Sequence, residues 1–168
     1  MFGHNSKKGL HFKIPGFGDR HIKVLLSDYD GTLSCGCDAN SEVKARLARL
    51  AETLEIHILT ADRKVEANDN LGHLPVKIHM LSDKDQDVQK RDYLDAFEPE
   101  HVAVLGNGNN DRLLLEAVRT AGGLCIAVDN GEGCAVDTLL HAHLFARSAE
   151  EALDLLLHPD VCATTLRY

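Results

Sequence analysis

Between residues 22 and 157, short apolar runs alternate with stretches of helical periodicity almost without interruption. Val24-Leu-Leu26, Ile56-His-Ile-Leu59, Val76-Lys-Ile-His-Met80, Val102-Ala-Val-Leu105 and Leu124-Cys-Ile-Ala-Val128 have the length and composition of strands buried on both faces. The segments between them carry the helical period. Val43, Leu47, Leu50 and Leu54 share one helix face, a poorly periodic helix is expected over 62–71, and a charged helix follows an N-cap at Ser82 or Asp83. Leu113, Leu114, Ala117 and Val118 form another helix face. A helix near 132–141, a short strand near 143–146 and a last helix opened by a Ser148/Glu151 capping box complete the pattern. Such alternation builds a doubly wound α/β domain around a mostly parallel sheet. The expectation is one domain over 22–168, preceded over 1–21 by an arm or a hairpin with turn material at Pro15-Gly-Phe-Gly-Asp19.

Charge narrows the partners. The 168 residues carry a net charge of −8, which repels nucleic acid and anionic membranes, so neither is an expected partner. A negatively charged substrate therefore needs a local cluster of positive charge or a bound cation. No apolar run approaches the roughly 18 residues of a membrane span, and the first residues lack the apolar centre of a secretory leader. The five cysteines are irregularly spaced and form no disulfide framework, which fits a reducing, cytoplasmic setting. Cys35-Gly-Cys37, even with His141 and His143, lacks the paired spacing of a structural zinc site.

In doubly wound sheets the ligand site lies beyond the carboxyl ends of the strands. Asp28-Tyr-Asp30-Gly-Thr-Leu33 follows the first main strand, Thr60-Ala-Asp62 the second and Gly106-Asn-Gly-Asn-Asn-Asp111 the fourth, while Lys90 lies on the helix entering the fourth. Asp28 and Asp30 can face one centre if the chain curls at Gly31. Two close carboxylates are costly unless a cation shares them, and the hard oxygen donors imply Mg²⁺. A carboxylate so placed can attack phosphorus and form an acyl phosphate.

These motifs, in this order, resemble those of the haloacid dehalogenase superfamily of phosphohydrolases. Asp28-x-Asp30-Gly-Thr-Leu33 matches the first motif, Thr60 the second, Lys90 the third and Gly106-Asn-Gly-Asn-Asn-Asp111 the fourth. Within the superfamily the chain is most similar to the soluble P-type ATPase-like phosphatases, through GNGNNDRLLLEAV, Gly131-Glu-Gly-Cys-Ala135, the ending ALDLLLHPDVCATTLR and IPGFG ahead of the first main strand. The resemblance implies a Rossmann-like fold and a Mg²⁺-dependent phosphatase working through an aspartyl-phosphate. Asp28 would be the nucleophile and Asp30 the general acid/base; Thr60 and Lys90 would hold the phosphoryl oxygens, with Lys84 a second candidate for the lysine. The metal group would be Asp28, Asp30, Asn107 and Asp111. The family usually has Asp where this chain has Asn107, so weaker metal binding is expected.

P-type pumps have Thr where this chain has Asp30, so prompt hydrolysis is expected here. The interval between Asp28 and Thr60 leaves no room for a pump's nucleotide-binding domain or a large cap domain. An uncapped site suits a phosphorylated small molecule or a bulky phosphate ester, or is closed by a neighbouring subunit in a homo-oligomer. The alternative is a non-catalytic or regulatory binding module with the same fold, which a neutral Asn107 would suit.

Overall fold

The structure, a computed structural model, describes residues 7–36, 38–61 and 66–168, without the side chain of Glu66. Cys37, Asp62 and the first part of the helix expected over 62–71 lie outside the described residues. The strands are β1 (Leu10–Phe12), β2 (Arg20–Ile22), β3 (Val24–Asp28), β4 (Glu55–Thr60), β5 (Lys77–Met80), β6 (Val102–Gly106), β7 (Leu124–Val128) and β8 (Leu144–Ala146). The helices are α1 (Ser41–Leu50), α2 (Glu66–Leu71), α3 (Gln86–Tyr93), α4 (Arg112–Ala121), α5 (Val136–Leu140), α6 (Ala149–Leu157) and α7 (Pro159–Leu166).

Six strands pair in parallel in the order β5-β4-β3-β6-β7-β8. Every residue of β3, β6 and β7 is buried, as their unbroken apolar character requires, whereas the edge strand β5 is largely exposed. On one face α1, α6 and α7 cover the sheet through Val43, Leu47, Leu153, Leu156 and Cys162. On the other, α4 does so through Leu114, Leu115 and Val118. The connection from β3 to β4 holds only a turn and α1, so no domain is inserted there. Among the described residues no helix is long and apolar enough to cross a membrane.

Register sets the site. Asp28 pairs with Leu59 and Ser27 with Leu105, so Asp28, Thr60 and Gly106 end at one level on the carboxyl rim. At the opposite rim β1 and β2 form an antiparallel hairpin leading straight into β3. Phe12, Ile14 and Ile22 bury its inner side, and Tyr168 N donates to Pro15 O (3.1 Å).

Local boundaries differ from the expected ones where tertiary contacts decide them. Helix α1 stops at Leu50, and Leu54 reaches the core from a turn, its N–H bonded to Leu50 O at 2.8 Å. Neither Ser82 nor Asp83 caps α3. The residue before it is Asp85, in the left-handed region (φ 51°), while the Gln89 side chain accepts from Ser82 N and donates to Ser82 Oγ. Helix α5 is shorter than expected because Asp129 Oδ1 accepts from Gly131 N (3.1 Å) and Gly133 N (2.9 Å), holding that stretch in a turn. Ser148 caps α6 by accepting from Glu151 N at 3.1 Å, but the Glu151 carboxylate goes to Arg147.

Candidate active site

The chain leaves β3 in a tight curl. Tyr29, wholly buried, turns its carbonyl to the N–H groups of Thr32 (3.3 Å), Leu33 (2.9 Å) and Ser34 (3.0 Å). Gly31 permits the curl at φ 72°, and a Cβ there would stand 2.4 Å from Asn107 Nδ2, so only glycine fits beneath that amide. The curl separates the two carboxylates by environment. Asp28 is buried at the strand end, while Asp30 is exposed on the turn and accepts from Thr60 Oγ1 at 3.3 Å.

Beneath Asp28 lies an ion triad. Lys90 Nζ donates to Asp28 Oδ1 and to Asp111 Oδ1, both at 2.7 Å, and is itself 1 % exposed. Asp111 Oδ2 accepts from the backbone N–H groups of Asn107 and Gly108, each at 3.0 Å, so both of its oxygens are engaged. Burial works against the Lys90 ammonium, but Asp111 and Asp28 outweigh it and hold its pKa above the ordinary lysine value. Burial first, then repulsion from Asp111, push the Asp28 carboxyl up to about 7 despite Lys90. Lys84, the other lysine considered, is exposed, and its carbonyl accepts from Gln89.

The remaining oxygens gather on the solvent side. Thr32 Oγ1 stands 3.1 Å from Asn107 Oδ1 and 3.4 Å from Asp28 Oδ2, bringing those two atoms to one point. Asn107 is fixed from other directions by Nδ2 donating to Gly133 O (3.3 Å) and by its carbonyl accepting from Ala135 N (2.7 Å). Thr138 Oγ1 steadies the same loop by donating to Gly108 O at 2.6 Å. Among the described residues no three His, Cys, Asp or Glu side chains are grouped to hold a metal ion, and both oxygens of Asp111 are taken up by Lys90 and by the Asn107 and Gly108 N–H groups. The donor set that fits a hard cation is therefore mixed: the Asp28 carboxylate, the Asn107 amide oxygen and Asp30 on the turn. A cation there would also offset the repulsion that raises the Asp28 pKa.

Two contributors escaped the sequence reading. Thr32 lies inside the first motif, where its threonine was the available signal. Glu132 lies in the Gly131-Glu-Gly-Cys-Ala135 segment, and its Oε1 accepts from Gly36 N at 2.8 Å across the mouth of the site. Of the residues weighed for zinc, Cys37 lies outside the described residues; the His141 ring pairs with Asp137 O, while His143 lies near the start of β8 and its Nδ1 accepts from Cys125 N (3.1 Å).

The fold matches solved structures over most of the chain's length. A Legionella pneumophila protein described as a haloacid dehalogenase superfamily (subfamily III A) hydrolase superposes with a TM-score of 0.68 at 19% identity, covering 86% of this chain and 87% of that one. The fold is that of the haloacid dehalogenase superfamily. The cobalt-bound deoxy-D-mannose-octulosonate 8-phosphate phosphatase of Haemophilus influenzae shares this haloacid dehalogenase fold at a TM-score of 0.65 and 15% identity, over 88% of this chain and 94% of that one. The 3-deoxy-D-manno-octulosonate 8-phosphate phosphatase of Moraxella catarrhalis, in complex with magnesium, phosphate and the sugar acid, aligns at 0.65 and 18%, over 87% and 94%. An uncharacterized protein of Methanocaldococcus jannaschii is 36% identical over 66 residues, 39% of this chain and 67% of that protein. No family model matches the chain.

Proposed function

We propose that the protein is a divalent-metal-dependent phosphohydrolase of phosphate monoesters. The observation that carries this is the pairing of environments at the end of β3: a buried Asp28 clamped by Lys90 and an exposed Asp30 two residues on. The two phosphatases that share the fold, one holding magnesium and one cobalt, support the same reading. Asp28, Asp30 and Asn107 would hold the cation, with Asp111 beside them positioning Lys90. When bound, a cation such as Mg²⁺ neutralises charge on the phosphoryl group.

Asp28 attacks phosphorus, and the bond to the leaving oxygen breaks as Asp30 delivers a proton to it. Asp30 then takes a proton from water, which attacks the aspartyl-phosphate, releases inorganic phosphate and restores Asp28. Lys90 and Thr60 bind the phosphoryl oxygens. The open rim admits a small phosphorylated metabolite or a bulkier ester. Kinship to the soluble P-type ATPase-like phosphatases rests on the segments quoted for it, and Asp30 fits prompt hydrolysis.

Assaying p-nitrophenyl phosphate with and without Mg²⁺ tests the reading. Turnover is expected only with metal, and Asp28→Asn, a near-isosteric change, should leave less than about 1% of it. A fully active Asp28→Asn variant would assign the attack to another group.

A further inference from the structure

The segment Gly131-Glu-Gly-Cys-Ala135 supplies no reacting group to the chemistry above, but besides fixing Asn107 through Gly133 O and Ala135 N it carries Glu132. Asp129, just past β7, accepts from Gly131 N and Gly133 N and so presents Glu132 at the tip of a turn. The turn is anchored on a second side by Asn130 Oδ1, which accepts from Ala149 N (3.1 Å) at the start of α6. The exposed Glu132 side chain reaches the segment that carries Asp30. Its Oε1 accepts from Gly36 N at 2.8 Å, and its Oε2 would lie 3.2 Å from a Cβ built on Gly31. Both glycines have positive φ (72° and 80°), a backbone conformation that residues with a side chain rarely adopt. Asp30 lies between β3 and this clasp, bridged to Ser34.

We infer that Glu132 is a positioning residue for Asp30: its carboxylate ties down Gly36 N beside the Gly31 turn and so holds the general acid at the leaving oxygen. The inference rests on the phosphohydrolase reading and names a residue that acts through Asp30 without touching substrate. Its signature is dependence on the leaving group. p-Nitrophenolate departs as an anion and needs no proton, whereas an alkoxide must be protonated as it leaves, so a displaced acid slows only the second.

The test compares Glu132→Ala and Glu132→Gln with wild type on p-nitrophenyl phosphate and on a simple alkyl phosphate, together with amide hydrogen exchange over 34–36. In Glu132→Ala, kcat on the alkyl ester should fall about tenfold to a hundredfold, the scale of a misplaced group, and on the aryl ester less than about threefold. KM should change little, because Lys90 and Thr60 are untouched. Exchange at Gly36 should accelerate in Glu132→Ala, and Glu132→Gln, which keeps an acceptor oxygen, should restore both readouts. Equal losses on the two esters, or unchanged exchange at Gly36, would overturn the inference. A wild-type chain that hydrolyses neither ester would overturn the phosphohydrolase reading and the catalytic role with it, while the exchange comparison would still decide the clasp.

Discussion

At the amino ends of the strands the chain closes the sheet with a hairpin whose Phe12, Ile14 and Ile22 are buried in the core, whereas at the carboxyl ends it buries Asp28, Lys90 and Asp111. Burying the first set stabilises the fold by about 1.5–3 kcal/mol per side chain. Burying the second set is costly, because each ion loses water, and the 2.7 Å contacts at Lys90, with the Asn107 and Gly108 N–H groups on Asp111, offset that loss. The difference separates stability from chemistry. The hairpin end adds apolar burial, and the ion triad keeps three charges in the interior that a purely stable protein would replace with apolar residues.

Removing the cation from the triad is the strongest way to break this contrast. Lys90→Ala leaves Asp28 and Asp111 facing each other without compensation, and should cost about 3–5 kcal/mol in urea denaturation. Lys90→Met combined with Asp28→Asn and Asp111→Asn removes all three charges and should recover most of the loss, though not the activity. A single variant within about 1 kcal/mol of wild type would mean that water, and not protein, solvates the triad.

A smaller effect is expected at the rim. Asn107→Asp adds a carboxylate where the amide oxygen meets Thr32, and should lower the Mg²⁺ concentration for half-maximal activity about tenfold, or ~1.4 kcal/mol. Titrating both proteins with Mg²⁺ by calorimetry checks this without relying on turnover. Identical binding curves would remove Asn107 from the cation site.

The mildest test uses acid, to which the two ends respond with opposite signs. Burial, with Arg119 and Arg20 nearby, pushes His143 down to about 4, and its Nδ1 must stay unprotonated to accept from Cys125 N. The unfolded chain takes up this proton near the ordinary value of about 6.5, so stability from His143 is complete above that pH and is lost as pH falls towards 4. Asp28 behaves inversely: its raised pKa means that acidification below about 7 relieves its buried charge. Melting temperature measured from pH 7 to pH 4 should fall less in His143→Gln than in wild type, and fall more in Asp28→Asn. Superimposable curves for all three would show that neither group is coupled to folding.

The sequence disclosed the sheet because its strands are locally encoded: Leu124–Val128 is apolar throughout and occupies β7 without adjustment. It disclosed the placement of Asp28, Thr60 and the 106–111 loop for the same reason, since each simply ends a strand. Lys90 was harder. On a helix as polar as α3 a lysine reads as solvated, and its burial is decided by Asp28, 62 residues away, and Asp111, 21 residues away. Glu132 was illegible because a glutamate between glycines resembles any surface turn, and its partner Gly36 lies 96 residues away. The start of α3 was missed for a related reason: Ser82 was drawn off by Gln89, a competition that residue preferences do not contain.

The same separations bear on the order in which the chain organises itself. β3 and β6 are adjacent in the sheet but far apart in sequence, and until they pair, Asp28, Lys90 and Asp111 have no common meeting point. Closing that long loop has an entropic cost before any contact rewards it, which makes parallel pairing of this kind slow. A carboxylate arriving in the interior ahead of its ammonium partner would oppose collapse, so the triad can lock only once the central strands are aligned. The three charged groups thus depend for their meeting on the pairing of β3 with β6, and a chain in which those strands are unpaired has no triad.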